Sequence, residues 1–275
     1  MPQCLNLGTV EMVRDTAQCL ADNIAARLRD LSGRAQLYSR FREGVGITSG
    51  QIDPYRSAWE ANNAIEINRD GPLWVVLGDS ASQGIGASSA FDGWVGQVRG
   101  RLQAQDGQRW RVVNLSVSGA RAQDVLNEQL PHLWRLAAGG TQVDLVVCAI
   151  GGNDMYRSRS WQIRDRFTQL VASLPEPGRL TTGSRTVITT LPQGLARRRA
   201  SIANHIIRTH APRRGLEVAD LWATTGPPWE GKYAEDFFHP NDTGYGHWAE
   251  GILPAVLQTT ATPTLGPVNA LSRQV

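Results

Sequence analysis

Apolar positions recur with two different periods along the chain. In residues 11–31, Val13, Thr16, Leu20, Ile24, Leu28 and Leu31 return every three or four positions among Asp, Arg and Ala, which predicts an amphipathic helix. Ser32-Gly33 ends it. From there to Gly71 the pattern is mixed, with Gly44-Val45-Gly46, Asp53-Pro54 and the aromatics Tyr55 and Trp59, so residues 1–70 read as a helical extension that packs on the core or on a partner. Short β-rich runs follow at 73–77, 110–115, 143–150, 185–190 and 216–219. Several are apolar throughout and do not alternate, as expected of strands buried on both faces. Helical stretches near 93–105, 121–137, 160–174, 195–211 and 243–257 lie between and after them. This alternation predicts a three-layer α/β/α domain over 71–257, built on a parallel sheet whose ligands bind beyond the C-terminal ends of the strands. Residues 258–275, rich in Thr, Pro and Ala, show no period and are expected to be a disordered tail.

Composition narrows the choice of function. With 41% hydrophobic and 19% charged residues, the chain has the make-up of a water-soluble globular protein and no apolar run long enough to span a bilayer. A formal charge of +3 invites a nucleic-acid reading, but the basic residues are dispersed, nearly all are Arg, and Lys232 is the only lysine. Nucleic acid is therefore not an expected partner. Cys4, Cys19 and Cys148 have no metal-ligand spacing, and an odd count of three does not suggest a disulfide framework, which points to a reducing compartment. Glu11, Arg14 and Asp15 interrupt the N-terminal stretch before a signal-type apolar core develops, so the cytoplasm is the expected location. Gly84-Ile85-Gly86 does not complete a dinucleotide fingerprint and no phosphate loop is present; no cofactor or metal is expected.

Four segments carry candidate chemistry. The first strand runs into Leu77-Gly78-Asp79-Ser80, which puts Ser80 at a strand-to-helix turn, although Asp and Ser are also ordinary helix caps. Gly119 follows the second strand in Ser116-Val117-Ser118-Gly119, where a backbone N–H is free to approach a ligand or simply to make a turn. Gly151-Gly152-Asn153-Asp154 follows the third strand, and Asn153 is either a side-chain donor or a turn residue. Asp236-Phe237-Phe238-His239-Pro240 precedes the last helix, with a carboxylate three positions before an imidazole. A serine hydroxyl needs a base to take its proton, and the base needs a partner that holds its tautomer; Ser80, His239 and Asp236 supply that set. His132, His205, His210 and His247 fall within helical stretches and read as structural or surface residues.

In this order the four blocks resemble the GDSL or SGNH hydrolase family of esterases, lipases and thioesterases. The resemblance implies a flavodoxin-like α/β/α fold with a five-stranded parallel sheet. It also implies Ser80 as nucleophile, Asp236 and His239 as acid and base, and an oxyanion hole of Ser80, Gly119 and Asn153. The long N-terminal extension departs from the family's needs and suggests a lid or a surface for homo-oligomers. The Gly-x-Ser-x-Gly pentapeptide of the α/β-hydrolase elbow is absent. The expected substrate is a small-molecule ester or thioester cleaved through an acyl-enzyme. Carbohydrate O-acetyl esterase activity, or a non-catalytic binding protein on the same fold, are the competing readings. Arg121, Arg157, Arg159 and Arg197 follow the strands and would suit an anionic leaving group, though dispersed surface arginines would look the same.

Overall fold

The structure is a computed structural model that describes residues 34–194 and 196–257. The helix expected at 11–31 and the tail expected at 258–275 lie outside the described residues. In chain order, a long helix α1 (Arg34–Glu66) leads into β1 (Leu73–Gly78), a single helical turn α2 (Ser80–Gln83) and α3 (Trp94–Asp106). Strand β2 (Arg111–Asn114) is followed by α4 (Ala122–Asp124), a π-helical turn (Val125–Gln129) and α5 (Leu130–Ala138). Then come β3 (Leu145–Ala149), α6 (Gly152–Arg157), α7 (Ser160–Ser173), β4 (Arg185–Thr189) and α8 (Arg197–His210). Strand β5 (Glu217–Ala219), a short α9 (Leu221–Thr224) and α10 (Asp242–Leu257) complete the described chain.

All five strands are parallel, in the order β2-β1-β3-β4-β5. That is the flavodoxin-like winding, whose switch point falls beside β1. The apolar runs are continuous because both faces are covered, and alternate side chains enter opposite cores. Leu73, Val75 and Leu77 of β1 join Val146 and Cys148 of β3 under α7 and α8, with Phe167, Leu170 and Ile207 above them. Trp74 and Val76 join Leu145 and Val147 on the other face, under Trp94 and Val98 of α3 and Tyr245 and Ile252 of α10. Burying one such side chain contributes roughly 1.5–3 kcal/mol, so these two interiors supply most of the drive to fold.

The stretch that looked mixed in the sequence is one continuous helix of 33 residues, with Pro54 inside it. It lies along the free edge of the sheet. Asn63 closes two hydrogen bonds with the backbone of Asn114: its Nδ2 donates to the carbonyl at 2.8 Å, and its Oδ1 accepts the N–H at 2.8 Å. Asn62 Nδ2 donates to the Val112 carbonyl at 2.8 Å. Side-chain amides thus stand in for a neighbouring strand and satisfy an edge that would otherwise be open to pairing with another chain. Arg111 answers from the strand, its Nη1 donating to the Glu66 carbonyl at the helix C-terminus at 3.2 Å. Gly44 is required by a close approach: a Cβ there would sit 2.1 Å from the backbone oxygen of Glu235.

Candidate active site

Strand β1 ends at Gly78, where space is short on both sides: an added Cβ would come within 2.2 Å of Ser82 Oγ and 2.5 Å of the Ala149 carbonyl. Gln129, on the π-helical turn, grips this residue with both ends of its amide. Its Oε1 accepts the Gly78 N–H at 2.9 Å and its Nε2 donates to the Gly78 carbonyl at 2.8 Å. Asp79 then caps α2, its Oδ1 accepting the Ala81 N–H at 3.1 Å. The capping duty therefore falls on Asp79, which leaves the Ser80 hydroxyl for another partner. Gly84 ends the turn in a left-handed conformation, φ +82°, and sends the chain back over the site.

The partner is His239. Its Nε2 lies 2.9 Å from Ser80 Oγ, and its Nδ1 lies 2.6 Å from Asp236 Oδ2. The other oxygen of Asp236, Oδ1, accepts the backbone N–H groups of Phe238 and His239, each at 2.9 Å. This ties the three-residue spacing into a tight turn. Phe237 takes the strain, with φ +53°, a conformation that bulky residues rarely adopt and that costs of order 1–3 kcal/mol. A bridge between Tyr233 and Pro240 closes the loop behind it.

Burial alone would raise the Asp236 carboxyl, but the charge of His239 and the three hydrogen bonds outweigh it and hold the carboxyl below its ordinary value. A carboxylate that stays ionised can only accept, so Nδ1 carries the ring hydrogen and Nε2 is left to accept the proton of Ser80. Asp79 goes the other way: burial pushes its carboxyl up to about 6, against the lowering effect of the Ala81 N–H and of His239, and with Asp154 adding to the rise. Asp154 is itself pushed up to about 6 by burial, with only the Ala122 N–H, Arg166 and Arg121 opposing.

Gly119 and Asn153 follow the strands on either side of β1. Gly119, at φ +84°, lies in the turn after β2 that is closed by the Ala120 N–H on the Val117 carbonyl at 3.0 Å. Asn153, buried near the start of α6 after β3, donates from Nδ2 to the Ala120 carbonyl at 2.9 Å. The two segments are therefore linked directly. A further tie runs from α2, where Gln83 Nε2 donates to the Ser116 carbonyl at 2.9 Å and Gln83 Oε1 accepts from the Ser118 hydroxyl. An aromatic wall flanks the imidazole. Phe238 stands edge-on to His239 with centroids 4.8 Å apart, and Tyr156 packs on Phe238 at 5.6 Å.

The four arginines have different surroundings. Arg121 pairs with Asp124 at 3.6 Å, and Arg197 lies over the Trp222 ring at 5.9 Å. Arg157 is half-buried at the end of α6, and Arg159 is exposed just before α7. Of the histidines read as structural or surface, His247 pairs with Glu250 at 3.2 Å on the exposed side of α10. Gln129, Gln83 and Tyr156 carried no signal in the sequence: each makes a contact that only the fold creates. Among the described residues, no cluster of His, Cys, Asp or Glu is arranged to hold a metal ion, and no helix is long and apolar enough to cross a membrane.

A doubly wound parallel sheet with a Ser–His–Asp hydrogen-bond chain at the C-terminal ends of its strands defines an α/β protein of the hydrolase type. The chain belongs to the GDSL-like Lipase/Acylhydrolase family, whose pattern matches residues 76–247. A search of curated proteins returned no match. Among solved structures, the chain is similar to TesA, with 24% identity and a TM-score of 0.52 over 67% of this chain and 98% of that one. It is also similar to a variant of Axe2, an acetyl xylan esterase from Geobacillus stearothermophilus, with 19% identity and a TM-score of 0.53 over 70% of this chain and 97% of that one. The lipase Lip_vut3 from a goat rumen metagenome gives 17% identity and a TM-score of 0.55 over 67% of this chain and 97% of that one. At these identities the likeness is one of fold.

Proposed function

We propose that this hydrolase cleaves carboxylic esters or thioesters of small or acyl-chain substrates through an acyl-enzyme on Ser80. The reading is carried by the unbroken chain from Ser80 Oγ to His239 Nε2, at 2.9 Å, and from His239 Nδ1 to Asp236, at 2.6 Å. His239 Nε2 takes the Ser80 proton as Oγ adds to the acyl carbonyl, and Asp236 stabilises the imidazolium that forms. The oxyanion is received by the backbone N–H groups of Ser80 and Gly119 and by Asn153. One Nδ2 hydrogen of Asn153 is spent on Ala120, which aims the amide; the second is assigned to the oxyanion. Collapse of the intermediate expels the alcohol or thiol, protonated by His239. A water activated by the same imidazole then releases the acid and restores Ser80. We place the reaction in the cytoplasm, in keeping with the buried free thiol of Cys148.

The test is a serine-directed organophosphonate combined with a panel of p-nitrophenyl esters from acetate upward. One adduct is expected, on Ser80, together with ester turnover, and both should vanish in Ser80→Ala. An unlabelled protein, or a Ser80→Ala variant with full turnover, would sink the reading. Acetylated xylan in the same panel separates an acyl esterase from a carbohydrate O-acetyl esterase.

A further inference from the structure

Helix α1 lies outside the residues the family pattern matches, yet it touches both halves of the candidate relay. The loop after α2 is the point of contact. Gly86, at φ +95°, presses its α-carbon against the histidine: a Cβ there would lie 2.8 Å from His239 Cβ and 2.4 Å from the Pro240 carbonyl. Gln51 on α1 holds that residue in place, its Oε1 accepting the Gly86 N–H at 2.8 Å while its Nε2 donates to the Ala87 carbonyl at 3.1 Å. One turn on, Tyr55 donates its hydroxyl to the same Ala87 carbonyl at 2.8 Å. From the opposite side, α10 grips the loop through the Tyr245 hydroxyl on the Ile85 carbonyl at 2.6 Å and through Asp242, which accepts the Ser88 N–H at 2.8 Å. Near its start, α1 passes so close to the Glu235–Asp236 backbone that only Gly44 fits.

We propose that α1 is a working wall of the site and that Gln51 is a positioning residue for His239, acting through Gly86. The proposal rests on the reading of Ser80, His239 and Asp236 as the reacting set. With Gln51 in place, the loop backs His239 at its Cβ, so the ring keeps its Nε2 on Ser80. Without it, Gly86 and Ala87 lose both amide contacts and the backing relaxes. Displacements of about 1 Å at a reacting group cost up to roughly 10²-fold in rate, so a fall of about 10- to 100-fold in kcat is expected. Substrate contacts are untouched, and KM should stay within about twofold.

The experiment compares the full-length protein with Gln51→Met, which keeps the side-chain length and removes both hydrogen bonds, and with Asn62→Ala. Asn62 loosens the same helix at β2, away from the loop. For each, kcat and KM on p-nitrophenyl acetate, the phosphonate labelling rate, the Tm and the downfield proton resonance of His239 Nδ1–H are measured. Expected for Gln51→Met is a fall in kcat and labelling with KM held and the resonance broadened or shifted; for Asn62→Ala, a lower Tm with kcat within about twofold. An unchanged kcat and resonance in Gln51→Met, or an equal loss of kcat in both variants, would overturn the proposal. If Gln51→Met does not fold, Gln51→Glu is read in the same way. Its second carboxylate oxygen would face the Ala87 carbonyl, acceptor against acceptor, which drives the side chain off the loop, so a fall in kcat with KM held supports the proposal whereas an unchanged kcat overturns it. A wild-type protein that neither labels nor turns over ester would instead condemn the underlying reading, which keeps the two failures apart.

Discussion

Asp236 and Asp79 both feel the charge of His239 and are both nearly closed to water, yet their carboxyls move in opposite directions. The difference lies in what each one accepts. Asp236 collects the imidazole N–H and two backbone N–H groups within a three-residue turn, enough to outweigh the cost of burying a charge. Asp79 accepts backbone N–H groups from Ala81 and Gly151, has Asp154 as an unfavourable neighbour, and is left with a carboxyl at about 6. The pair teaches that closeness to an imidazole does not make a carboxylate its partner. The number and aim of the donors decide which one serves as the charged partner and which one shapes the backbone.

The contrast can be broken most sharply at Asp236. Asp236→Asn should lower kcat/KM on an activated ester by about 10⁴, because the amide favours the wrong imidazole tautomer. A loss of less than tenfold would mean that the two carboxylates are not distinguished in function. Asp79→Asn is expected to do the reverse of harm to the fold. The amide oxygen can still accept the Ala81 N–H, at the loss of the Gly151 N–H, and the buried charge is gone. Since burial raises the carboxyl from 3.8 to about 6, unfolding by urea at pH 8 should show a gain of about 1–3 kcal/mol, and a loss of stability would refute the assignment.

The smallest effect is the shape of the pH dependence. The folded state holds the Asp79 proton more tightly than the unfolded chain does. Its contribution is therefore fully present below pH 4 and is lost as the pH rises through about 6. Asp236 is depressed, so it stabilises the fold above the ordinary carboxylate range and loses that contribution as the pH falls through its folded value. Stability curves for wild type and Asp79→Asn should separate between pH 4 and 6, whereas those for wild type and Asp236→Asn should converge below pH 4. Parallel curves in both comparisons would contradict the opposite shifts.

Much of the sheet was legible because burial on both faces leaves no polar residue in runs such as Leu73 to Leu77, and the sequence reading placed all five strands. The residues of the Ser80–His239–Asp236 hydrogen-bond chain could be picked out as candidates as well, since Ser80 opens the helical turn after β1 and Asp236 and His239 lie three positions apart. Helix α1 beyond residue 33 was hidden for a physical reason. Of its described side chains, only Phe41 and Trp59 are buried hydrophobics, so it carries no apolar stripe to mark a helical period. It docks through Gln51, Tyr55, Asn62 and Asn63 instead, and Gly44 and Pro54 resemble breakers. Gln129 was hidden in the same way: nothing local says that its amide will reach Gly78, 51 positions earlier in the chain.

The way α1 docks also sets a timetable for the growing chain. Its bonds to Gln83 and Asn114 reach 24 and 51 positions ahead, so during translation at about 5–20 residues per second the helix emerges seconds before the backbone it will cover. A stripe of exposed leucines would spend that interval seeking any apolar surface at hand. Amides, a phenol and the Trp59 indole N–H spend it bonded to water, and they exchange that water for the edge of β2, the Gln83 carbonyl and the loop beside His239 only once those have formed.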